Sequence, residues 1–209
     1  MKEPAEVAAL YAGISKILGT ECPNGKRVGD CKYGVYLFYD YDDEPIYVGM
    51  TKESLRARIG RHLTNQRTDA VAMSVLDPFE VAEIELWPFW DMPDSKTEIE
   101  DILRRAEYTV YQQALERSAF NAVLNEGEIP AADLIELPSS VKASILGGED
   151  RKVREHPDVR MARRARTIAN LARVISERRV RAGIRRTLWA QARRLERMAQ
   201  ERLEEFNGG

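Results

Sequence analysis

The chain has 209 residues, of which 44% are apolar and 32% are charged, a composition that predicts one domain with an appendage or two small domains. No apolar run approaches the roughly 20 residues that a membrane-spanning helix needs. The start, Met1–Pro4, lacks the apolar core of a signal peptide. We therefore exclude a membrane-spanning protein and expect a globular, cytoplasmic one with no membrane partner.

The net charge of −2 conceals two segments of opposite sign. From Arg151 onward the chain carries 17 Lys and Arg against 7 Asp and Glu, a net of +10, so residues 1–150 carry −12. Arginine supplies nearly all of the positive charge in the second segment. A separation this sharp predicts different roles, with the basic segment facing a polyanion or an acidic partner.

Residues 1–32 are interpreted as an N-terminal helix followed by a loop. Apolar side chains recur at helical spacing over residues 4–18, which predicts an amphipathic helix that covers a sheet. The loop contains Cys22 and Cys31. We interpret them as reduced thiols, because a zinc site would need two further ligands, and a labile disulfide is the alternative.

The following segment has the pattern of a β-hairpin. Alternating apolar side chains over residues 34–39 predict one strand, and the β-rich run 46–48 predicts a second. The polar sequence between them, which ends in proline, has the composition of a hairpin loop. The first strand begins with Gly34-Val35-Tyr36, and the second ends with Tyr47-Val48-Gly49.

After the second strand the apolar period becomes helical, from residue 55 to residue 63. Thr51 or Ser54 is suited to cap this predicted helix at its N-terminus. Arg58 and His62 are four residues apart, so they share one face of the helix. We expect this face to bring the arginine and the histidine towards the tyrosines of the two strands.

Together these residues resemble the catalytic module of the GIY-YIG nuclease superfamily, which carries two such tripeptides on adjacent strands. Valine replaces isoleucine in both tripeptides here and preserves the β-branched strand character. The resemblance extends over about residues 33–125. It implies catalytic roles for Tyr36, Tyr47, Arg58 and His62.

The resemblance also implies a metal-binding glutamate on a later helix, which the pattern predicts over residues 97–115. Glu107 lies at the edge of the apolar face of that helix and is assigned this role, with Glu98 and Glu100 as fallback candidates. The family places an asparagine about four turns further on. Asn121 fits that position, and Asn125 is the alternative.

The implied chemistry is metal-dependent hydrolysis of a phosphodiester bond. A single carboxylate such as Glu107 suits Mg²⁺ or Mn²⁺ that keeps most of its waters. Arg58 suits the non-bridging phosphate oxygens. By resemblance, Tyr36 is the general base, with its pKa lowered by Arg58 and with Tyr47 and His62 assisting. The residues themselves leave open which of the three takes the proton.

Residues 79–87 predict a third strand. The aromatic cluster Trp87, Phe89 and Trp90 that follows is interpreted as core or loop packing, with stacking on unpaired bases as the alternative. The polar stretch 64–69 is predicted to be a loop near the substrate. The predicted fold is α+β, with a nuclease domain over residues 33–127 that contains a three-stranded antiparallel sheet flanked by helices.

Residues 128–157 are interpreted as a connection, and residues 158–209 as an arginine-rich helical region with a helix–helix junction near Gly183. One apolar stripe is predicted from Met161, Ala165, Ile168, Ala172 and Ile175. A second is predicted from Val180, Ile184, Leu188, Gln191, Leu195, Met198 and Leu203. The arginines of this region are expected to face outward. Those predicted to contact nucleic acid, together with Arg61 of the earlier helix, are Arg163, Arg164, Arg178, Arg179, Arg181, Arg185 and Arg186.

The predicted partner is nucleic acid, with DNA favoured, in restriction, phage defence or repair. Because one site of this kind cuts one strand, a homodimer formed through the C-terminal helices would allow cleavage of a duplex. The alternative is a non-catalytic nucleic-acid-binding or assembly subunit with a degenerate nuclease fold. The presence of all five residues of the catalytic set favours the enzyme.

Overall fold

The computed structural model describes residues 4–64, 75–125 and 127–207. Residues 65–69 of the predicted substrate loop lie outside this range. The helices are α1 (Ala5–Leu18), α2 (Leu55–Thr64), α3 (Lys96–Arg117), α4 (Gly148–Glu155), α5 (Pro157–Glu177) and α6 (Ala182–Asn207). The strands are β1 (Gly34–Tyr39), β2 (Pro45–Thr51), β3 (Glu83–Pro88) and β4 (Val141–Ser144). The described part of the chain is therefore α+β.

The sheet is antiparallel throughout and has the order β2-β1-β3-β4. The prediction of three strands is wrong, because Val141–Ser144 pairs with β3 as a fourth. Its four residues alternate between partly buried and exposed, which is a weak signal within a stretch interpreted as a connection. The strand with the first tyrosine is central, and the strand with the second forms an edge.

Helices cover both faces of the sheet. On one face of the sheet, Tyr36 and Phe38 of β1 pack with apolar residues of α1 and α2. Val35 and Leu37 point to the opposite face, where they pack against Ala106 and Val110 of α3. The alternation along β1 thus separates two cores, each closed by a helical layer.

Local signals fix where the helices that carry the predicted site begin. The side chain of Ser54 accepts a hydrogen bond from the Ala57 N–H at 3.1 Å, which caps α2 as expected for one of the two candidates. Ser95 caps α3 in the same way, through the N–H of Glu98. These caps set the helical phase that determines which side chains of α2 and α3 face the sheet.

The two C-terminal helices pack against each other and against the domain that contains the sheet, but not through all of the predicted residues. Each buried residue of α5 lies one position before a predicted member of the stripe: Arg160, Arg164, Thr167, Leu171 and Val174. On α6, Ile184 and Met198 are buried within the chain, whereas Leu203 is 60% exposed. The buried residues are thus unavailable to the second subunit that the dimer prediction invoked.

Three arginines occupy this interface, which explains the shifted stripe. Arg160, Arg164 and Arg194 are each 4% exposed or less. The expectation that Arg164 and Arg194 face outward is therefore wrong. The reason is an acidic cluster at the hairpin loop and the turn before β3, formed by Asp40, Asp42, Glu44 and Glu80, which surrounds the three guanidinium groups.

Two further sequence expectations concern the cysteines and the membrane. Cys22 and Cys31 are both buried and carry free thiols. Burial raises the pKa of Cys31, whose Sγ lies 3.2 Å from the carbonyl oxygen of Tyr33. Among the described residues, no helix combines the length and the apolar character needed to cross a membrane.

Candidate active site

The candidate site lies at the edge strand β2, where the two tripeptides pair. Tyr36 of β1 is directly opposite Gly49 of β2. A Cβ atom at residue 49 would lie 2.3 Å from the Tyr36 hydroxyl oxygen, so the phenol ring occupies the space that a side chain would need. The glycine therefore lets the Tyr36 side chain lie across the edge strand.

The other motif glycine positions the helix. A Cβ atom on Gly34 would lie 2.8 Å from Cδ2 of Leu55, the first residue of α2. Leu55 is fully buried in this contact. Close packing at Gly34 thus places the start of α2 against β1, and the helical period then directs Arg58 towards Tyr36.

Tyr36 and Arg58 are joined directly. Nε of Arg58 donates a hydrogen bond to the Tyr36 hydroxyl at 3.2 Å. Burial raises the pKa of Tyr36 to about 12, because desolvation outweighs the opposing effect of the Arg58 charge. The sequence analysis expected Arg58 to lower the pKa of Tyr36, but the net shift is upward. Tyr36 is fully buried, whereas Arg58 is partly exposed.

Tyr47 and His62 complete the aromatic part of the cluster. The rings of Tyr36 and Tyr47 are stacked with their centroids 6.4 Å apart. The His62 ring centroid lies 5.3 Å from that of Tyr47 and 5.9 Å from that of Tyr36. Tyr47 and His62 are both partly exposed. The structure thus brings together all four residues predicted from the strands and α2.

Glu107 joins this cluster from the opposite helical layer. Burial raises the pKa of Glu107 to about 7. The positive charge of Arg58 and a hydrogen bond from the backbone of Met50 in β2 oppose this shift. The fallback candidates lie apart from it. Glu98 is exposed at the first turn of α3, and Glu100 forms an exposed ion pair with Lys52 at 2.7 Å.

The donor set around Glu107 fits one kind of metal site. Within the part of the chain that the structure describes, no group of three or more His, Cys, Asp or Glu side chains could hold a metal ion. Glu107 is a single, partly buried carboxylate, and its raised pKa shows that nearby positive charge does not fully offset its desolvation. This arrangement fits Mg²⁺ or Mn²⁺ held by one carboxylate and water, and it does not fit a multidentate site such as structural zinc.

The two candidate asparagines lie in different environments. Asn121 is exposed, has a left-handed backbone with φ of 48°, and lies in the turn after α3. Asn125 instead bonds both backbone groups of Val48: its Oδ1 accepts from the N–H at 3.1 Å, and its Nδ2 donates to the carbonyl at 2.7 Å. The fallback residue, rather than Asn121, therefore supports the strand that carries the second tripeptide.

The predicted nucleic-acid contacts divide into paired and exposed arginines. Arg61 is paired with Glu53. The side chain of Arg163 is 18% exposed and bonds Glu80 at 3.0 Å. Arg186 is exposed and bonds Glu128 at 3.1 Å. Arg164 is buried and pairs with Asp40 and Glu80. The other four are exposed and make no ion pair with any described residue: Arg178, Arg179, Arg181 and Arg185.

Two residues that support the site escaped the sequence analysis. Arg194 was assigned to the surface, yet its Nη2 donates to the carbonyl oxygens of Pro45 and Ala122, both at 3.1 Å. The backbone of Met50, which bonds Glu107, carries no side-chain signal. The only sequence feature that could have indicated Met50 is its position directly after the second tripeptide.

Comparison with known proteins gives one match. The family model for the GIY-YIG catalytic domain matches residues 32–110, which include both tripeptides, Arg58, His62 and Glu107. The match covers less than half of the chain and ends before Asn125 and the C-terminal helices. Neither the curated proteins nor the solved structures include a significant match. The resemblance inferred from the motifs is therefore confirmed for the segment that carries the site.

Proposed function

We propose that this protein is a metal-dependent endonuclease, because residues 32–110 match the family model for the GIY-YIG catalytic domain and members of that family are endonucleases. It hydrolyses phosphodiester bonds in nucleic acid, with DNA as the favoured substrate. The observation that carries the proposal is the convergence of Tyr36, Arg58 and Glu107, from three different elements, at one edge of the sheet.

The accessible groups of the cluster divide the chemistry between them. Glu107 would hold the divalent cation, which would supply Lewis-acid stabilisation of the phosphate. The Arg58 guanidinium, fixed at Nε by Tyr36, presents its remaining N–H groups to the non-bridging oxygens. The charge that develops on the phosphate during hydrolysis is thereby stabilised by groups that are already oriented.

Proton transfer is assigned to the exposed side of the cluster. With a pKa of about 12 and no exposed surface, Tyr36 is a neutral phenol whose role is to orient Arg58. His62 is a partly exposed residue, its ring lies beside both tyrosines, and imidazole is a common proton acceptor in catalysis. We assign acceptance of the proton from water to His62, with Tyr47 holding its ring.

The exposed arginines of the C-terminal region are proposed as phosphate contacts. Arg178, Arg179, Arg181 and Arg185 are suited to this role because they are exposed and make no ion pair with any described residue. Cleavage of a duplex would need two sites, and a homodimer would have to use a surface other than the buried part of α6. Restriction and phage defence are the favoured settings.

A non-catalytic binding subunit is the weaker alternative. Such a protein would need neither the fixed Tyr36–Arg58 contact nor a carboxylate held partly buried beside it. The second feature costs stability, since burial of an ionised carboxylate is unfavourable, and a binding subunit would gain nothing from it. The retained geometry therefore favours catalysis.

The test is cleavage of end-labelled single-stranded, duplex and branched DNA and RNA, each incubated with Mg²⁺, Mn²⁺ or EDTA. We expect internal cleavage that requires the metal. Arg58→Lys keeps the charge but loses the planar fork, so cleavage should slow by about 100-fold or more with little loss of affinity. Arg56→Lys, a change two residues earlier at an exposed pair with Asp30, is the matched control. Equal rates in the two variants would remove Arg58 from the chemistry.

A further inference from the structure

One exposed aromatic residue lies within the most basic stretch of the chain. Trp189 of α6 is 53% exposed, whereas Trp87 is 6% exposed and packs in the core. No described side chain forms a ring contact, cation–π contact or hydrogen bond with Trp189. Single exposed apolar side chains are common on protein surfaces, so what distinguishes Trp189 is the charge of its surroundings.

The surroundings of Trp189 on the helix are cationic. Arg185 and Arg193 lie four residues before and after it, so both share its face, and Arg186 lies one turn before it on an adjacent row. All three arginines are exposed. Arg193 and Arg186 have one acidic neighbour each, at 3.4 Å and 3.1 Å, and Arg185 pairs with no described residue.

Charge is distributed unevenly along α6 and the turn before it. Residues 178–194, which include the four residues before α6, contain seven arginines and no acidic residue. The second half of the helix contains four glutamates, and its arginines are paired along the helix, as in Arg197–Glu201 and Arg202–Glu205. Next to Trp189, Glu196 of the same helix pairs with Arg193, but the charge of Arg185 is not neutralised by any described residue, so this stretch keeps a net positive charge that attracts an anionic partner.

We propose that Trp189, Arg185 and Arg193 form a binding site for unpaired nucleotides, with a base stacked on the indole and its flanking phosphates bound by the two arginines. This inference rests on the proposed nuclease function and specifies its substrate. An indole face can stack only on a base whose own face is open, and a duplex presents base edges and phosphates instead. The protein thus prefers nucleic acid that contains a single-stranded segment.

The test measures affinity of the full-length protein in EDTA, so that the substrate is not cut, for labelled oligonucleotides of one length. The probes are a single strand, a blunt duplex and a duplex with a single-stranded tail. Trp189→Ala should weaken binding of the first and third probes by about 5- to 150-fold, as expected for loss of one base–aromatic stack. It should change affinity for the blunt duplex less than twofold, and Trp189→Phe should retain most of the affinity.

Phe206→Ala is the matched control, because Phe206 is 70% exposed on the acidic half of the same helix, and it should bind all probes like wild type. Arg185→Gln combined with Arg193→Gln should reduce the slope of log affinity against log salt by about 1.4 on the single strand. Wild-type affinity in Trp189→Ala, an equal loss on the blunt duplex, or a loss that coincides with a change in molecular mass would each overturn the proposal.

These outcomes separate the two proposals. Binding that depends on Trp189, in a protein that cleaves none of the substrates, would leave the nucleotide site intact and remove the nuclease function. Metal-dependent cleavage by a protein whose affinity for the single strand does not depend on Trp189 would support the nuclease function and remove the nucleotide site.

Discussion

Nη2 of Arg194, in the last helix, lies 3.1 Å from the carbonyl oxygen of Pro45, the first residue of the strand that carries Tyr47. The same nitrogen also bonds the carbonyl of Ala122, three residues before the asparagine that holds Val48. The C-terminal helices thus support the catalytic strand from outside the segment that matches the family.

We predict that Arg194→Met lowers the free energy of unfolding by about 3–5 kcal/mol, because it leaves buried acidic and carbonyl groups without their partner. Burial lowers the pKa of Arg194 despite nearby Asp40 and Glu44, which reflects the same desolvation. Arg193→Met is the matched control, since the side chain of Arg193 is 57% exposed, and it should cost less than about 0.5 kcal/mol. Denaturant unfolding measures both, and equal stabilities would refute the support role.

Truncation after Gly148 follows the same reasoning. It removes Arg160, Arg164 and Arg194 and leaves Asp40 and Glu80 buried without their cations. The truncated chain should therefore unfold, rather than persist as a domain with weaker nucleic-acid binding. A folded and active truncation product, judged by circular dichroism and cleavage, would show that the acidic cluster tolerates loss of the arginines.

Gly49→Ala should disrupt the site, because its methyl group would lie 2.3 Å from the Tyr36 hydroxyl oxygen. Displacement of Tyr36 releases Arg58, so we expect cleavage to fall by at least about 100-fold and stability by about 1–3 kcal/mol. Gly147→Ala is the control, since no atom lies within 4 Å of its added Cβ. The comparison requires thermal unfolding and cleavage rates on both variants. Wild-type cleavage by Gly49→Ala would show that the Tyr36 ring can move without loss of activity.

Local patterns in the sequence were sufficient to predict the hairpin of β1 and β2 and the helix α2. Alternation along β1, the hairpin loop and the Ser54 cap are local features, and the two glycines of the tripeptides have direct steric reasons. β4 was missed because a four-residue strand has too little pattern of its own. Its pairing with β3 is decided by tertiary contacts.

The buried arginines show why the first C-terminal stripe was shifted and why the second was only partly right. Charged residues are almost never fully buried unless paired, so the sequence analysis assigned Arg164 and Arg194 to the surface and their apolar neighbours to the core. The acidic partner of Arg164 in the hairpin loop, Asp40, is 124 residues away in sequence. No local pattern could reveal that pairing.

Glu107→Gln should stabilise the metal-free protein at pH 8. Burial raises the pKa of Glu107 from an ordinary 4.5 to about 7, so the ionised form is unfavourable in the folded state. This destabilisation is fully present above pH 7 and disappears as the pH falls towards 4.5, where the carboxyl is protonated in both states. Tm measured in EDTA should thus be higher in Glu107→Gln at pH 8 and converge with wild type near pH 5.

Glu100→Gln is the control for this comparison, because it removes an exposed carboxylate paired with Lys52. It should gain no stability at pH 8. A Glu107→Gln variant less stable than wild type at pH 8 would contradict this prediction. It would show that the ionised carboxylate of Glu107 stabilises the folded protein.

The two candidate bases differ in what their removal does to the cleavage rate at saturating Mg²⁺. His62→Ala should lose about 100- to 10,000-fold in rate, as expected for loss of a general base. Tyr36→Phe should be slower only because Arg58 loses its partner, so its loss should be the smaller of the two. A larger loss in Tyr36→Phe than in His62→Ala would assign the base to Tyr36.

The most direct test of the nuclease site is the single-turnover cleavage rate of Glu107→Gln at pH 8 and saturating Mg²⁺, with affinity measured on the same preparation in EDTA. We predict that the rate falls by at least about 100-fold while affinity stays within about threefold of wild type, because the carboxylate acts in the chemical step and not in binding. Wild-type turnover by the glutamine variant would contradict the assignment of Glu107 and, with it, the proposed metal-dependent site.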